Sequence, residues 1–365
     1  MTAAAIARRA ARPAAALLTR RWRPGSRLFL VGEGVGWVID EELREVARLA
    51  DRLGVRLADR SLLSASRGQA AFYGSQFTLL REPWRPAPHR LATAYFHGVP
   101  GTPGMPEFDD CYRALCRHHE RLDRVQVSHS QMHDVVLSSG IDPAKVLRIP
   151  IGINLGYFSP PRPGERDAAR AALGLPASAF VVGSFQKDGV GWGDGLEPKL
   201  VKGPDVLVET LGLLRAEVTE LHVLLAGPAR GYVRAGLDRL GIPWRHRYLE
   251  RYEEVATLYH ALDAYLVPSR QEGGPKGVLE SMATRVPVVT TRVGQAMDLV
   301  RHGENGWLAD VEDAAALAGW LAHVAGRPPE LGEVLERGAE TAAANSYDAQ
   351  LPLWRAFLSG LVELP

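Results

Sequence analysis

Ala264–Ala283 reads AYLVPSRQEGGPKGVLESMA. The apolar run ending at Val267 predicts a buried strand, and Gly277–Ala283 predicts an apolar helix. Between them lies a tight turn, and Pro275 opens the helix at a position where its missing N–H has no partner to lose. The free N–H groups of a first helical turn, with Gly273 and Gly274 leaving the backbone bare, form an anion site. Glu272 sits in the turn and Glu280 on the helix. Their spacing separates the carboxylates by roughly 10–12 Å, about the span from a sugar to a ribose across a diphosphate. Carboxylates accept strong hydrogen bonds from vicinal hydroxyls. Two glutamates at this spacing are ordinarily two solvated side chains; the strand, the GGP turn and the apolar helix around them favour a site.

A second strand–loop–helix unit lies upstream, in VVGSFQKDGVGWGDGLEPKLVKGPD (181–205). A strand ends near Phe185, a glycine-rich loop follows, with five glycines between 183 and 195 (183, 189, 191, 193 and 195, the first still in the strand), and a helix starts at Pro204. The chain has 38 Arg and only 5 Lys, and three of the five, Lys187, Lys199 and Lys202, fall in or beside this loop. Lys meets phosphate as a point charge, and a glycine-rich loop lets backbone N–H groups approach. Lys202, just before the helix, and then Lys187 are the candidates; Lys199 reads as solvated.

Outward from these segments, short apolar runs alternate with amphipathic stretches through both halves of the chain. Strands are expected at Arg27–Gly32, Val55–Ala58, Gln76–Leu80, Leu91–Phe96, Arg124–His129 and Val146–Ile151. The rhythm restarts after SPPRPG (159–164), a stiff proline-rich break. Further strands follow at Phe180–Phe185, Leu221–Ala226, Ala264–Val267 and Val286–Thr290, with a helical pattern after Trp307. This is an α/β protein with two Rossmann-like parallel-sheet domains, 27–158 and 165–345, and a terminal helix over 346–365. In open α/β sheets ligands bind at the carboxyl ends of strands, so two such domains are expected to face each other across a cleft.

The 365 residues carry a net charge of +1, which argues against a nucleic-acid binder. The two cysteines, Cys111 and Cys116, have neither CxxC nor zinc-like spacing and suit a reducing, cytoplasmic setting. His129 and His133 share a helix face without a third ligand in pattern, so no metal is expected. Residues 1–26 form an arginine-rich tail whose apolar runs are too short for a signal peptide or a spanning helix. It reads either as a solvated arm or as a peripheral contact with an anionic membrane surface. In the first half, Gly32-Glu33-Gly34-Val35-Gly36-Trp37 follows a strand. It lacks the dinucleotide spacing and reads as a loop approaching phosphate or sugar, through Gly34, or as a plain tight turn. His97, in AYFHGVPGTPG, ends a strand and opens a glycine- and proline-rich loop; a lone His at a strand end is ordinarily structural. Ser128 and His129 end the next strand.

With these residues in place, the chain resembles the GT-B glycosyltransferases, in particular the retaining, nucleotide-sugar-dependent family 4 group. PSRQEGGPKGVLESMATRVPVVTTRVGQAMDLVRHGENGWLA (268–309) resembles that group's PS–EG–E helix and GxNGxL turn. KGPDVLVETL (202–211) resembles its KG-x-D helix start, and VLRIPIGINLGYF (146–158) its IPNG-x-D segment with Ile151 and Asn154 substituted. The resemblance implies that Glu280 holds ribose hydroxyls, Glu272 the donor sugar, Lys202 the diphosphate, and Gly273 and Gly274 the anion. It implies no metal or cofactor beyond the nucleotide diphosphate sugar, and a carbohydrate or lipid-linked acceptor, in bacterial polysaccharide or glycolipid assembly. It also implies a terminal helix crossing back to the first domain, and a catalytic or substrate-contacting role for His97, since many similar enzymes have a His there that reaches the donor sugar or acceptor. The group's Gly-Arg pair reads Gly183-Ser184 here, and Lys187 is expected to replace the missing charge. A phosphorylase-type transferase and a catalytically inactive sugar-binding relative are the alternatives.

Overall fold

The computed structural model describes residues 27–34, 38–86 and 88–364. The tail 1–26, and Val35, Gly36 and Trp37 of the first glycine loop, lie outside the described residues. The chain divides into two units: one runs up to Ile149 and includes the segment from Gln350 onward, the other is Pro150–Ala349.

The first unit holds strands β1 (Leu28–Val31), β2 (Leu57–Ala58), β3 (Ala70–Tyr73), β4 (Arg90–Ala94), β5 (Arg124–Val127) and β6 (Val146–Arg148). They form one parallel sheet in the order β2-β1-β3-β4-β5-β6. The strand order reverses between β1 and β3, so this unit's switch point lies beside the loop carrying Gly32 and Gly34. The expected strand Gln76–Leu80 is a helix, Gln76–Leu79, and the strand there is β3. Gln76 is buried, and its side-chain amide donates to the His97 carbonyl. Helix Leu351–Ser359 belongs to this unit: the rings of Trp354 and Phe357 meet Phe72 of β3 edge-on at 5.9 and 5.4 Å.

The second unit holds β7 (Phe180–Ser184), β8 (Leu221–Ala226), β9 (Trp244–Arg247), β10 (Ala264–Val267), β11 (Val288–Thr291) and β12 (Trp307–Ala309), all parallel, in the order β12-β11-β10-β7-β8-β9. Its core lies on both faces of the sheet. Along β8, Leu221, Val223 and Leu225 join helices Pro204–Leu214 and Ala314–Ala325 on one side. Leu224 and Ala226 join Tyr259, Met282 and Ala342 on the other. Strands covered on both faces read as continuous apolar runs, which is why β7, β8 and β10 are plain in the sequence. The helical pattern expected from Trp307 begins only at Ala314, after β12. Sheet order reverses between β7 and β10, and ligands in such sheets bind at that switch point.

Candidate active site

The two segments singled out in the sequence leave the sheet on either side of this switch point. Lys202 ends a 3-10 turn, Leu200–Lys202, after β7, and Glu272 lies in the turn after β10. The Lys202 ammonium donates to the Glu272 carboxylate at 2.6 Å. Ser269 Oγ donates to the other Glu272 oxygen at 2.9 Å. Gln186 donates to the Lys202 carbonyl at 2.7 Å, fixing the turn that carries the lysine.

Close backbone packing sets this geometry. Gly203 has φ +63°, and a Cβ there would sit 2.1 Å from the Pro268 carbonyl oxygen. The backbone amides of Arg270 and Gln271 both donate to the Val201 carbonyl, at 3.0 and 3.1 Å. Arg270 grips Asp205 with two hydrogen bonds, at 2.8 and 2.7 Å. Burial pushes the Asp205 carboxyl up, but the Arg270 hydrogen bonds and charge outweigh it and hold the group below its ordinary value. The two loops therefore form one platform, with Lys202 and Glu272 on it.

Gly273 and Gly274 precede helix Lys276–Ala283. Gln295 donates its backbone N–H to the Gly273 carbonyl at 3.1 Å, and its side-chain oxygen accepts from the Ile151 backbone N–H at 2.9 Å. A Cβ on Gly274 would meet Ile151 at 2.6 Å and Gln295 at 2.8 Å. The glycines thus let the chain pass closely beneath the helix start. Ile151 and Asn154, the two departures noted in the IPNG-x-D segment, sit in this second unit.

Glu280 is only 4% exposed. Tyr252 donates its hydroxyl to one of its oxygens, and Tyr259 to the other at 2.8 Å. Burial first, and then the Glu280 charge, raise the Tyr259 phenol far above its ordinary value, so it stays a donor. Gly277 leaves room for Tyr265, whose ring a Cβ there would meet at 2.4 Å.

The missing Arg after Gly183 has a structural counterpart that the sequence reading did not find. Arg230, 1% exposed, donates to the Ser184 carbonyl at 2.6 Å and to Ser184 Oγ at 3.1 Å. It also pairs with the fully buried Asp188 at 3.0 Å. Burial raises the Asp188 carboxyl, against the opposing charge of Arg230. A guanidinium therefore lies on the Ser184 position, delivered from the loop after β8. Only its place in that loop could have flagged it. Lys187 instead lies over the Trp192 ring at 4.6 Å, with burial lowering its ammonium.

The remaining candidates belong to the first unit. Gly34 takes φ +74° just after β1, and its amide donates to Asp40 at 3.4 Å. The His97 ring packs between Phe77 and Phe108, at 5.3 and 5.6 Å. Ser128 and His129 are buried, with Ser128 Oγ and His129 Nδ1 at 2.9 Å. Among the described residues no three His, Cys, Asp or Glu side chains group to hold a metal, and no helix is long and apolar enough to cross a membrane.

Two parallel six-stranded sheets, the second with a lysine, two glutamates and a glycine turn at its switch point, define the class: a protein with the GT-B glycosyltransferase fold. Residues 195–325 match the family model described as Glycosyl transferases group 1. The D-inositol 3-phosphate glycosyltransferase of Mycobacterium tuberculosis is 31% identical over 255 residues, 65% of this chain and 49% of that protein. The chain spans about half the length of the curated relatives it matches. Among solved structures, Anabaena Alr3699/HepE in complex with UDP-glucose aligns with a TM-score of 0.72 at 18% identity, over 92% of this chain and 100% of that one. Sucrose-phosphate synthase from Thermosynechococcus elongatus aligns with a TM-score of 0.62 at 20% identity, over 88% of this chain and 79% of that one. These findings bear out the resemblance to GT-B glycosyltransferases drawn from the motifs.

Proposed function

We propose that the chain transfers a sugar from a nucleoside diphosphate sugar to an acceptor hydroxyl, with retention at the anomeric carbon and without a metal. The observation that carries this reading is the Lys202–Glu272 pair at the switch point, ahead of the glycine turn and the helix that bears Glu280. Two of the relatives named above support it: the Mycobacterium tuberculosis protein is called a glycosyltransferase, and Anabaena HepE holds UDP-glucose.

In this reading Glu280 takes the donor ribose and Glu272 the hydroxyls of the donor sugar. Lys202 shifts from Glu272 to the diphosphate, joined by the amides of the helix start, so charge on the departing group is met by a cation and by fixed dipoles. The bond between C1 and the diphosphate oxygen breaks, and the bond from C1 to the acceptor oxygen forms on the same face. The acceptor proton passes to the leaving diphosphate, so no protein nucleophile is required. Arg230 holds Ser184 and Asp188 and so braces the loop bearing Lys187. The acceptor is a carbohydrate or a lipid-linked hydroxyl, used in polysaccharide or glycolipid assembly. The setting is cytoplasmic, at the inner membrane face, with the arginine-rich tail as the membrane contact.

Incubation with UDP-, GDP- and ADP-sugars and simple acceptor alcohols, followed by NMR, tests the reading. It predicts release of one nucleoside diphosphate and a product with the donor's anomeric configuration, unchanged by EDTA. Inverted product, or activity that needs inorganic phosphate in place of a nucleotide sugar, would contradict it.

A further inference from the structure

Both oxygens of the buried Glu280 carboxylate are occupied by phenols of this chain. The two phenols differ in how firmly they are held. Tyr259 is fully buried within helix Val255–Tyr259 and packs on Phe185 at 5.0 Å and Tyr265 at 5.0 Å. Its hydroxyl has nowhere to go. Tyr252 is half-buried and opens a 3-10 turn, Tyr252–Glu254. The segment before it, residues 247–251, is exposed apart from the half-buried Leu249. Exposed loops with few buried contacts open at low free-energy cost.

From this difference we infer that Tyr252 is an internal stand-in for a ribose hydroxyl: its phenol satisfies Glu280 while the site is empty and is exchanged for the donor's ribose when the site fills. The inference rests on Glu280 being the ribose site. A carboxylate this deeply buried would be destabilising without donors. Tyr259 supplies a fixed one and Tyr252 a replaceable one. The Tyr252 ring is guided back by its neighbours: Phe158 lies 5.5 Å away, and the Lys276 ammonium 4.6 Å over the ring face. Ribose binding then trades one hydrogen bond to Glu280 for another, which keeps affinity for the spent nucleotide moderate and favours its release. Tyr252 is a positioning residue here, acting through Glu280.

Isothermal titration with UDP, GDP and ADP tests this on the full chain and on Tyr252→Phe, which keeps the ring and removes only the hydroxyl. The nucleotide that binds wild type is expected to bind Tyr252→Phe about tenfold more tightly, since a hydrogen bond to a charged group no longer has to be broken. The variant should melt at a lower temperature without ligand and show a larger ligand-induced rise. In a Glu280→Gln background the substitution should tighten binding far less. Unchanged or weaker binding by Tyr252→Phe overturns the stand-in role and leaves the site reading intact. Binding of none of the three nucleotides to either protein overturns the site reading and the inference with it.

Discussion

Replacing Arg230 with Met removes one charge from an ion pair in which both side chains are fully buried. The Asp188 carboxylate then keeps its burial and loses its cation, while the carbonyls of Ser184 and Ala226 lose their donor. Breaking a buried pair from one side costs about 3–5 kcal/mol. A domain the size of the second unit shifts by about 2–4 °C per kcal/mol, so Tm is expected to fall by about 6–20 °C. The loss has a pH signature. Burial already raises the Asp188 carboxyl, and Arg230 is the main opposing charge. Without Arg230 the native state binds that proton still more readily than the unfolded chain does. Such a group contributes most stability below the unfolded carboxylate range, and that contribution disappears as pH rises through the native value. The deficit should therefore be smaller at the lower of two pH values, measured against wild type by circular dichroism melts. Adding Asp188→Asn should abolish that difference. A deficit below about 2 °C, or one equal at both pH values, would refute the reasoning about the buried pair.

Two further substitutions probe the platform and the helix. Gly203→Ala forces a side chain into φ +63° and against the Pro268 carbonyl. The left-handed backbone alone costs about 1–2 kcal/mol, so a larger loss in urea unfolding, with weakened nucleotide binding through displaced Lys202, is expected. Tyr259→Phe deletes a buried donor to Glu280 and should cost about 1.5–3 kcal/mol in the same assay, more than Tyr252→Phe, whose side chain is half-buried.

Much of this architecture is legible in the sequence, for identifiable reasons. Strands covered on both faces, such as Leu221–Ala226 and Ala264–Val267, show as unbroken apolar runs. The strand–GGP–helix unit shows because Pro and Gly have positional meaning at helix starts. Strand Trp244–Arg247, reading WRHR at the sheet edge, carries Trp244 as its one apolar residue and so shows no apolar run. Strand Trp307–Ala309 has three residues and merges with the helical pattern that follows. At the site, Lys202, Glu272 and Glu280 stand out because lysine is scarce and the glutamates flank a distinctive turn. Arg230 is one arginine among 38, and its value comes from a partner far upstream in the sequence, Asp188. Tyr252 and Tyr259 lie in an ordinary helical stretch, and only the fold brings them to Glu280.

The central claim is that the second unit's switch point binds a nucleoside diphosphate through Lys202. Thermal shift against UDP, GDP, ADP, CMP and NAD, on wild type and Lys202→Ala, tests it most directly, because a ligand that binds only the folded state raises Tm with concentration. The account predicts that one nucleoside diphosphate stabilises wild type and that Lys202→Ala, folded and with a similar Tm alone, loses most of that rise. No shift with any nucleotide, or an equal shift in both proteins, would contradict it.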